Sequence, residues 1–463
     1  MFAKVKKSAP AKNTMSALFG NAVNILVKFV AQKIFIQTLG VEYLGLNSVL
    51  LNIISVLSIA ELGISSAIIF NLYEPIKHRK LEVVKSLLKF YKKAYDIIAI
   101  LTLAIGLLLM PFLHLVVREP VLGVNMYFAY LLMLASTVIS YFMSYRQSIL
   151  YATEQGHVTI NVQTVTNILT VSIQILLLVT THNYYLYLTV SIVMQFLKNL
   201  CLYKIAERKH PILKDKDIQK LDKTIEKDIF KKMRALFIHK ASTFVIFSTD
   251  NIIISAFINV PTVGLYSNYH MIFSAVETVF TQTIKALTPT VGNLLVDKDF
   301  SKNFKTFQKI RHVNFMVVLV SSVGIMLLAD LFVKLWFGGE YVLSNFTLVT
   351  LLMVHYQRMM RESYSVFKEA AGIYYEDRFV PVIESLINIV VSVVLVRWIG
   401  LPGVFIGTFV SSLALWFYSY PKFVYKRLFG RTYRQYIVEV VLYSLIYLAV
   451  MVLAWSIKNW MSI

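Results

Sequence analysis

The sequence predicts an all-α polytopic membrane protein: two six-helix lobes related by a parallel internal repeat around a central cavity, plus a C-terminal extra helix. Of the 463 residues, 57% are hydrophobic and only 15% are charged, which is too little polar surface to cover a soluble globule. The apolar residues gather in runs of about 20, enough to cross a hydrocarbon core of roughly 30 Å. In lipid such runs must be helices, because a helix satisfies its own backbone groups. A motif that occurs twice predicts the repeat.

Twelve predicted spans follow one another along the chain, and a further apolar run, Tyr436 to Trp455, comes after them. The twelve spans lie near residues 16–38, 44–70, 92–117, 122–145, 159–181, 184–206, 234–258, 262–295, 312–337, 343–367, 379–399 and 402–421. The most charged segment separates the sixth span from the seventh. We therefore predict an N-terminal lobe over 1–206, a cytoplasmic linker over 207–233, a C-terminal lobe over 234–427 and an additional transmembrane helix within 428–463.

The Lys and Arg residues indicate which loops face the cytoplasm. Alternate connections carry them in clusters, for example Lys77, Arg79 and Lys80, whereas the other connections carry almost none. The positive-inside rule then predicts a cytoplasmic N-terminus and a cytoplasmic linker. The same rule, with attraction to anionic membrane lipids, explains much of the net charge of +21, so a nucleic-acid partner is not expected.

A short motif occurs once in each half. LGVEYLGLNS begins at Leu39 and INVPTVGLYS begins at Ile258, and they are identical at four of ten positions, including Gly45 and Gly264. Both copies fall on a predicted outward turn between the first two spans of their half, so we expect these glycines at gate turns. Because six spans is an even number, the halves share one orientation, as in transporters with parallel repeats.

Two stretches carry a family resemblance. ELGISSAIIFNLYEPI, Glu61 to Ile76, and TDNIIISAFINVPTVGLYSNY, Thr249 to Tyr269, resemble the polysaccharide-exporter (Wzx-type) branch of the multidrug/oligosaccharidyl-lipid/polysaccharide (MOP) flippase superfamily, and the similarity extends to about Lys426. The resemblance implies a bacterial cytoplasmic-membrane flippase that moves undecaprenyl-pyrophosphate-linked oligosaccharides by alternating access. Such a protein would serve capsule, exopolysaccharide or O-antigen assembly, with a polymerase and a chain-length regulator as partners.

Polar residues inside the predicted spans are candidates for substrate binding, because a polar group at membrane depth is costly. A diphosphate needs cations and hydrogen-bond donors around it. The candidates for binding the pyrophosphate or sugar are Lys28, Gln32, Lys198, Lys240, Lys285, Arg358 and Arg361. The alternative for Arg358 and Arg361 is that their side chains reach the cytoplasmic headgroups. Lys28 and Lys285 lie near the middle of their spans, where this alternative fits least.

Carboxylates within the spans suggest ion coupling. A buried carboxylate can bind and release a proton, or hold Na⁺ together with neighbouring oxygens. The candidates are Asp250, Glu277 and Glu384, and the alternative for each is a structural pair with a nearby Lys or His. For Asp330 we expect a local ion pair with Lys334, four residues later on the same helix.

Several other functions remain open from the sequence. A lipid II flippase or a multidrug transporter would share the fold, although a cationic lining argues against export of cationic drugs. A polyprenyl-sugar glycosyltransferase or ligase would usually need long outer loops, and the predicted outer loops are short. The chain has no GxxxxGK[ST], HExxH or CxxC motif and a single cysteine, Cys201, so we expect no catalytic residues, no cofactor and no metal.

Overall fold

The computed structural model describes residues 9–58, 64–119, 121–214, 226, 249–297, 299–373, 376–377 and 379–460. Over these residues the regular structure is helical, with no strand, which confirms the predicted all-α fold. The chain forms two compact units, Met1–Phe244 and Val245–Ile463. Each unit is described by itself.

The first unit contains seven long helices among its described residues. They are α1 (Ala9–Leu39), α2 (Val41–Leu57), α3 (Ile64–Lys77), α4 (Leu81–Leu109), α5 (Met126–Tyr141), α6 (Gly156–Thr181) and α7 (Tyr184–Lys209). Asn125 and Asn183 begin α5 and α7 by accepting hydrogen bonds from the first backbone N–H groups of those helices, the usual role of an N-cap asparagine. The predicted span 44–70 is not one helix, because α2 ends at Leu57 and α3 is described from Ile64.

In the second unit, residues 249–257 are helical, and longer helices follow. These are α8 (Val260–Lys285), α9 (Phe300–Trp336), α10 (Asn345–Ala370), α11 (Val380–Ile399), α12 (Leu401–Ala414) and α13 (Tyr433–Trp460), with a short helix Thr288–Val296 between α8 and α9. After Ala414 the chain continues without a break as a π-helix, Leu415–Lys426, which includes Pro421. Asn259, Asp299 and Ser344 cap α8, α9 and α10 with their side chains.

The apolar helices make this a multi-pass membrane protein. Among the described residues, eight helices are long and apolar enough to cross a membrane, and a bent pair, Met126–Tyr141 with Ser144–Ala152, would add a ninth. Helices α8 and α10 are not among them, although each has 26 residues and is therefore about 39 Å long. Their composition is too polar, and they are the helices that carry the polar pocket of the second unit.

The two glycines expected in turns lie in helices. Gly45 is buried within α2, which starts at Val41, and Gly264 is buried within α8, which starts at Val260. The chain turns earlier than expected. Gly40 has φ +95°, a backbone conformation that glycine adopts readily, and it separates α1 from α2. The expected turn position is therefore wrong for both glycines.

The last helix is tied to the second unit by buried ion pairs. Lys458 of α13 pairs with Asp330 of α9, and Tyr269 of α8 also donates a hydrogen bond to Asp330. Nearer its start, Glu439 of α13 pairs with Arg311 of α9. The local pair expected between Asp330 and Lys334 is therefore wrong, because the lysine of another helix occupies the carboxylate.

Candidate functional site

A polar pocket lies inside the second unit, where α8 packs against α10. Its cavity volume is about 20 Å³, and it is lined by Asp250, Tyr266, His270, Phe273, Glu277, Leu351, Val354, His355, Arg358 and Phe405. The four lining residues of α8 recur every three or four positions, which places them on one face of that helix. The four of α10 lie at positions 351, 354, 355 and 358, which also share one face. One face of α8, which carries His270 and Glu277, therefore forms one wall of the pocket.

His355 is the most deeply buried polar residue of this pocket, with none of its surface exposed. Its Nδ1 lies 3.0 Å from Oε1 of Glu277 on α8, and its Nε2 lies 3.1 Å from the hydroxyl oxygen of Ser321 on α9. The ring of Phe273 packs against it edge to face, with 5.5 Å between ring centroids. The imidazole thus joins three helices through two polar contacts.

Arg358 lies on the other side of the same carboxylate. Its Nη1 is 3.9 Å from Oε2 of Glu277, and both side chains are 20% exposed. Glu277 therefore lies between an imidazole and a guanidinium. Arg358 also lines this pocket.

Asp250 forms another wall, and it is only 4% exposed. The hydroxyl of Thr408 on α12 donates to its carboxylate over 3.2 Å, and the amide of Asn388 on α11 donates to that hydroxyl over 2.9 Å. Thr249 donates to the amide oxygen of Asn388 over 3.1 Å. Asn388 and Thr408 were not among the predicted site residues. The signal that could have found them is a polar side chain in an otherwise apolar span.

Two further predicted cations lie near carboxylates of the second unit. Lys285 is 48% exposed, and its Nζ is 4.0 Å from Oε2 of Glu362. Arg361 donates to Oε1 of Glu384 over 3.1 Å, and the Glu384 side chain is only 1% exposed. The charge of Arg361 is therefore balanced by a buried carboxylate on α11, whereas Lys285 is half exposed and stands farther from its carboxylate.

The remaining predicted binding residues belong to the first unit, except one. Lys28 is exposed and Gln32 is half-buried on α1. Lys198 on α7 donates to the side-chain oxygen of Gln195 over 2.8 Å. Lys240 lies outside the described residues. The structure thus brings Glu277, Arg358 and Asp250 together in one pocket, and it describes Lys28, Gln32 and Lys198 on two helices of the other unit.

Comparison with known proteins identifies the family. A family model described as "Polysaccharide biosynthesis protein" matches residues 11–295, which is more than half of the chain. No curated protein matches the chain significantly.

Solved structures show the fold. The chain is similar to an inward-facing multidrug resistance MATE family transporter of the MOP superfamily, at 15% identity over 92% of this chain and 95% of the other, with a TM-score of 0.65. It is also similar to a MATE transporter of Vibrio cholerae, at 15% identity over 92% and 100% with a TM-score of 0.60. A MOP superfamily transporter of Pyrococcus furiosus gives 14% identity over 96% of both chains and a TM-score of 0.58.

These similarities agree with the helical architecture described above. Identities this low show the fold, a polytopic helical transporter fold, and the family match shows the relationship. The chain therefore belongs to the family described as polysaccharide biosynthesis protein.

Proposed function

We propose that the protein is a flippase that carries undecaprenyl-pyrophosphate-linked oligosaccharides across the bacterial cytoplasmic membrane, from the cytoplasmic to the outer leaflet. It would work by exposing a headgroup-binding site alternately to the two sides while the polyprenyl tail stays in lipid. The N-terminus would be cytoplasmic, as the distribution of Lys and Arg predicts. The product would feed capsule, exopolysaccharide or O-antigen assembly, with a polymerase and a chain-length regulator as partners.

The observation that carries this proposal is the pair of cations on α8 and α10. Arg358 stands 3.9 Å from Oε2 of Glu277, and Lys285 stands 4.0 Å from Oε2 of Glu362. Both side chains are partly exposed. A guanidinium has five N–H donors, and a hydrogen bond between charged groups is shorter than these distances. A diphosphate that approached either cation would gain closer contacts than the carboxylates now make. The family match to polysaccharide biosynthesis supports a sugar-bearing diphosphate as the anion.

The other predicted binding residues have supporting roles in this proposal. Lys28, Gln32 and Lys198 of the first unit, with Lys240, would add donors for the pyrophosphate or the sugar hydroxyls. Arg361 would contribute mainly through its contact with Glu384, which holds α10 against α11. Gly45 and Gly264 would lie close to the outer gate, one helical turn inside α2 and α8.

Ion coupling would use the buried carboxylates. Asp250 has hydroxyl and amide groups of Thr408, Asn388 and Thr249 in its hydrogen-bonded chain, and such oxygens suit a proton or a Na⁺ ion. Glu277 is the second candidate because it contacts both His355 and Arg358. Glu384, paired with Arg361, is the third.

The experiment that tests the function is flipping of a fluorescent undecaprenyl-pyrophosphate oligosaccharide in proteoliposomes. We expect the native protein to move the lipid to the opposite leaflet and the variants Lys285→Ala, Arg358→Gln and Lys28→Ala to do so more slowly. Lys334→Ala is the matched control, because Lys334 is an exposed lysine of α9 outside the pocket. If the three test variants flip the lipid as fast as Lys334→Ala and the native protein, these cations do not bind the headgroup.

The same vesicles separate the alternatives. A lipid II flippase would move labelled lipid II and leave the oligosaccharide lipid in place, although both carry a polyprenyl pyrophosphate. A multidrug transporter would move a fluorescent cationic drug. A glycosyltransferase or ligase would change the mass of the sugar lipid, which mass spectrometry of the recovered lipid detects. Transport of the oligosaccharide lipid with its mass unchanged supports the flippase.

A further inference from the structure

Both ring nitrogens of His355 have polar partners, Glu277 and Ser321. The Ser321 hydroxyl can act either as a hydrogen-bond donor or as an acceptor. Nδ1 faces the carboxylate of Glu277. An ionised carboxylate can only accept hydrogen bonds, so beside ionised Glu277 the proton of this contact lies on Nδ1. Nε2 faces the hydroxyl of Ser321, and a hydroxyl both donates and accepts. The state of Nε2 therefore depends on where the Ser321 proton points.

The Ser321 hydroxyl has a second acceptor within reach. Its oxygen lies 3.1 Å from the carbonyl oxygen of Val318, one turn earlier on α9, and 3.1 Å from Nε2 of His355. If the hydroxyl donates to Nε2, the imidazole is neutral. If it donates to Val318 instead, its oxygen accepts a proton-bearing Nε2 and the imidazole is cationic. Both charge states are fully hydrogen-bonded without any movement of heavy atoms.

The two charge states of His355 differ in how much of the negative charge of Glu277 is available to Arg358. With neutral His355, Glu277 keeps its negative charge and attracts the guanidinium 3.9 Å away. With cationic His355, the same carboxylate is neutralised by the imidazolium at 3.0 Å. His355, Glu277 and Arg358 together then carry one net positive charge, whereas with neutral His355 their charges cancel. An anion would bind there more tightly, because opposite charges attract strongly where the effective dielectric constant is low.

Other charged groups face this pair from the surrounding helices. His270 of α8 and Asp250 of the helical segment 249–257 also line the pocket, and Glu362 of α10 lies next along the helix beside Lys285. Ser321 is the contact from α9, and Phe405 is the lining residue from α12. The two states of His355 themselves differ by the single proton on Nε2.

We infer that His355 is a proton-binding residue and that its protonation strengthens the binding of a phosphate-type anion at Arg358. The proton comes from solution, adds to Nε2 and turns the Ser321 hydroxyl towards Val318, and no other bond changes. By linkage the anion must in turn favour the protonated imidazole. The identity of the anion as a pyrophosphate headgroup rests on the proposed function, whereas the proton site itself does not.

The test is a nuclear magnetic resonance titration of the full-length protein in detergent, with the histidine rings ¹³C-labelled and inorganic pyrophosphate as the probe. The His355 signal is identified by its loss in His355→Gln or, if that variant does not fold, by its shift in Ser321→Ala. We expect the signal to shift as the pH is lowered and the imidazole takes up its proton. Saturating pyrophosphate should move this titration towards higher pH.

The control variants separate proton binding from its coupling to the anion. Arg358→Gln should leave a titrating His355 signal that pyrophosphate no longer moves. Ser321→Ala removes the oxygen that serves both states, so the titration should move towards lower pH. His182, an exposed histidine of the first unit, is the internal reference, and its signal should not respond to pyrophosphate.

Two results would overturn the inference. One is a His355 signal that stays constant over the whole range, and the other is a titration that pyrophosphate does not shift in the native protein. Either result leaves the flippase proposal intact if the vesicles still flip the oligosaccharide lipid. Conversely, a linked titration without any flipping would overturn the proposed function alone.

Discussion

Gly407 of α12 lies directly against Ser392 of α11. A Cβ atom added to Gly407 would stand 2.6 Å from the backbone nitrogen of Ser392, and one added to Gly403 would stand 2.5 Å from the carbonyl oxygen of Leu395. The hydroxyl of Ser392 donates to the carbonyl oxygen of Val404 over 3.0 Å. The two helices therefore touch backbone to backbone, the packing that small residues permit in membrane proteins.

Gly407→Ala should push these helices apart. Because the atoms in the way belong to backbone, we expect a loss of about 1–3 kcal/mol in the free energy of unfolding, measured by unfolding of the purified protein in detergent. Gly324→Ala on α9 is the matched control, since nothing lies within 4 Å of its added Cβ. That variant should be neutral or gain up to about 1 kcal/mol of helix propensity. Equal effects of the two changes would contradict the close packing.

Removing one partner of the buried ion pair on α13 should be costly. Lys458 is 2% exposed and pairs with Asp330, and it also donates to Asn345 over 3.0 Å. Lys458→Ala leaves the Asp330 carboxylate without its cation, so we expect a loss of about 3–5 kcal/mol. The same unfolding measurement checks it. Lys334→Ala should cost little, and the double variant Asp330→Asn/Lys458→Met should recover part of the loss. A Lys334 effect as large as that of Lys458 would favour the local pair instead.

The second ion pair of α13 involves a more deeply buried cation. Arg311 is 1% exposed, and its guanidinium also lies over the rings of Tyr443 and Phe307, at 4.7 and 5.1 Å from their centroids. Glu439→Gln removes the only carboxylate paired with it among the described residues. We expect a loss of about 3–5 kcal/mol in unfolding free energy. Glu340→Gln changes an exposed carboxylate and should change it by less than about 0.5 kcal/mol.

Asp250→Asn should slow transport without unfolding the protein, because asparagine keeps the shape and can still accept from Thr408. A hydrogen bond to a charged group contributes about 1.5–3 kcal/mol, which corresponds to roughly tenfold to a hundredfold in ion affinity. The measurement is the rate of lipid flipping in vesicles with an imposed proton or Na⁺ gradient. Asp297→Asn, at an exposed carboxylate, is the control. Gradient-dependent flipping that survives in Asp250→Asn would remove this residue from the coupling site.

Features that depend on local periodicity could be predicted from the sequence. Helical periodicity places His270 and Glu277, seven residues apart, on one face of α8, and both line the pocket. The extra apolar run at Tyr436 to Trp455 is helix α13, Tyr433–Trp460. In each case the information lies within one helix, where the spacing of polar and apolar residues determines which side faces the protein.

Features that depend on contacts between helices could not be predicted. The rule for residues four apart predicted Lys334 as the partner of Asp330, yet Lys458, far along the chain, forms the ion pair. Asn388 and Thr408 reach Asp250 from two other helices, and nothing in their own segments specifies that meeting. The burial of His355 between Glu277 and Ser321 likewise depends on how three helices pack.

The π-helix that follows α12 has a consequence for insertions and deletions in this chain. Tyr420 and Tyr425 both pack against Tyr364, with ring centroids 4.8 and 6.2 Å away. Residues five apart point about 140° apart at 3.6 residues per turn, whereas the i to i+5 hydrogen bonds of a π-helix bring them to the same side. Removing one residue between them would bring the tyrosines to the four-residue spacing of an ordinary α-helix. This segment should therefore tolerate the deletion of one residue. The same deletion within a neighbouring α-helix would rotate its packing face away from its partners.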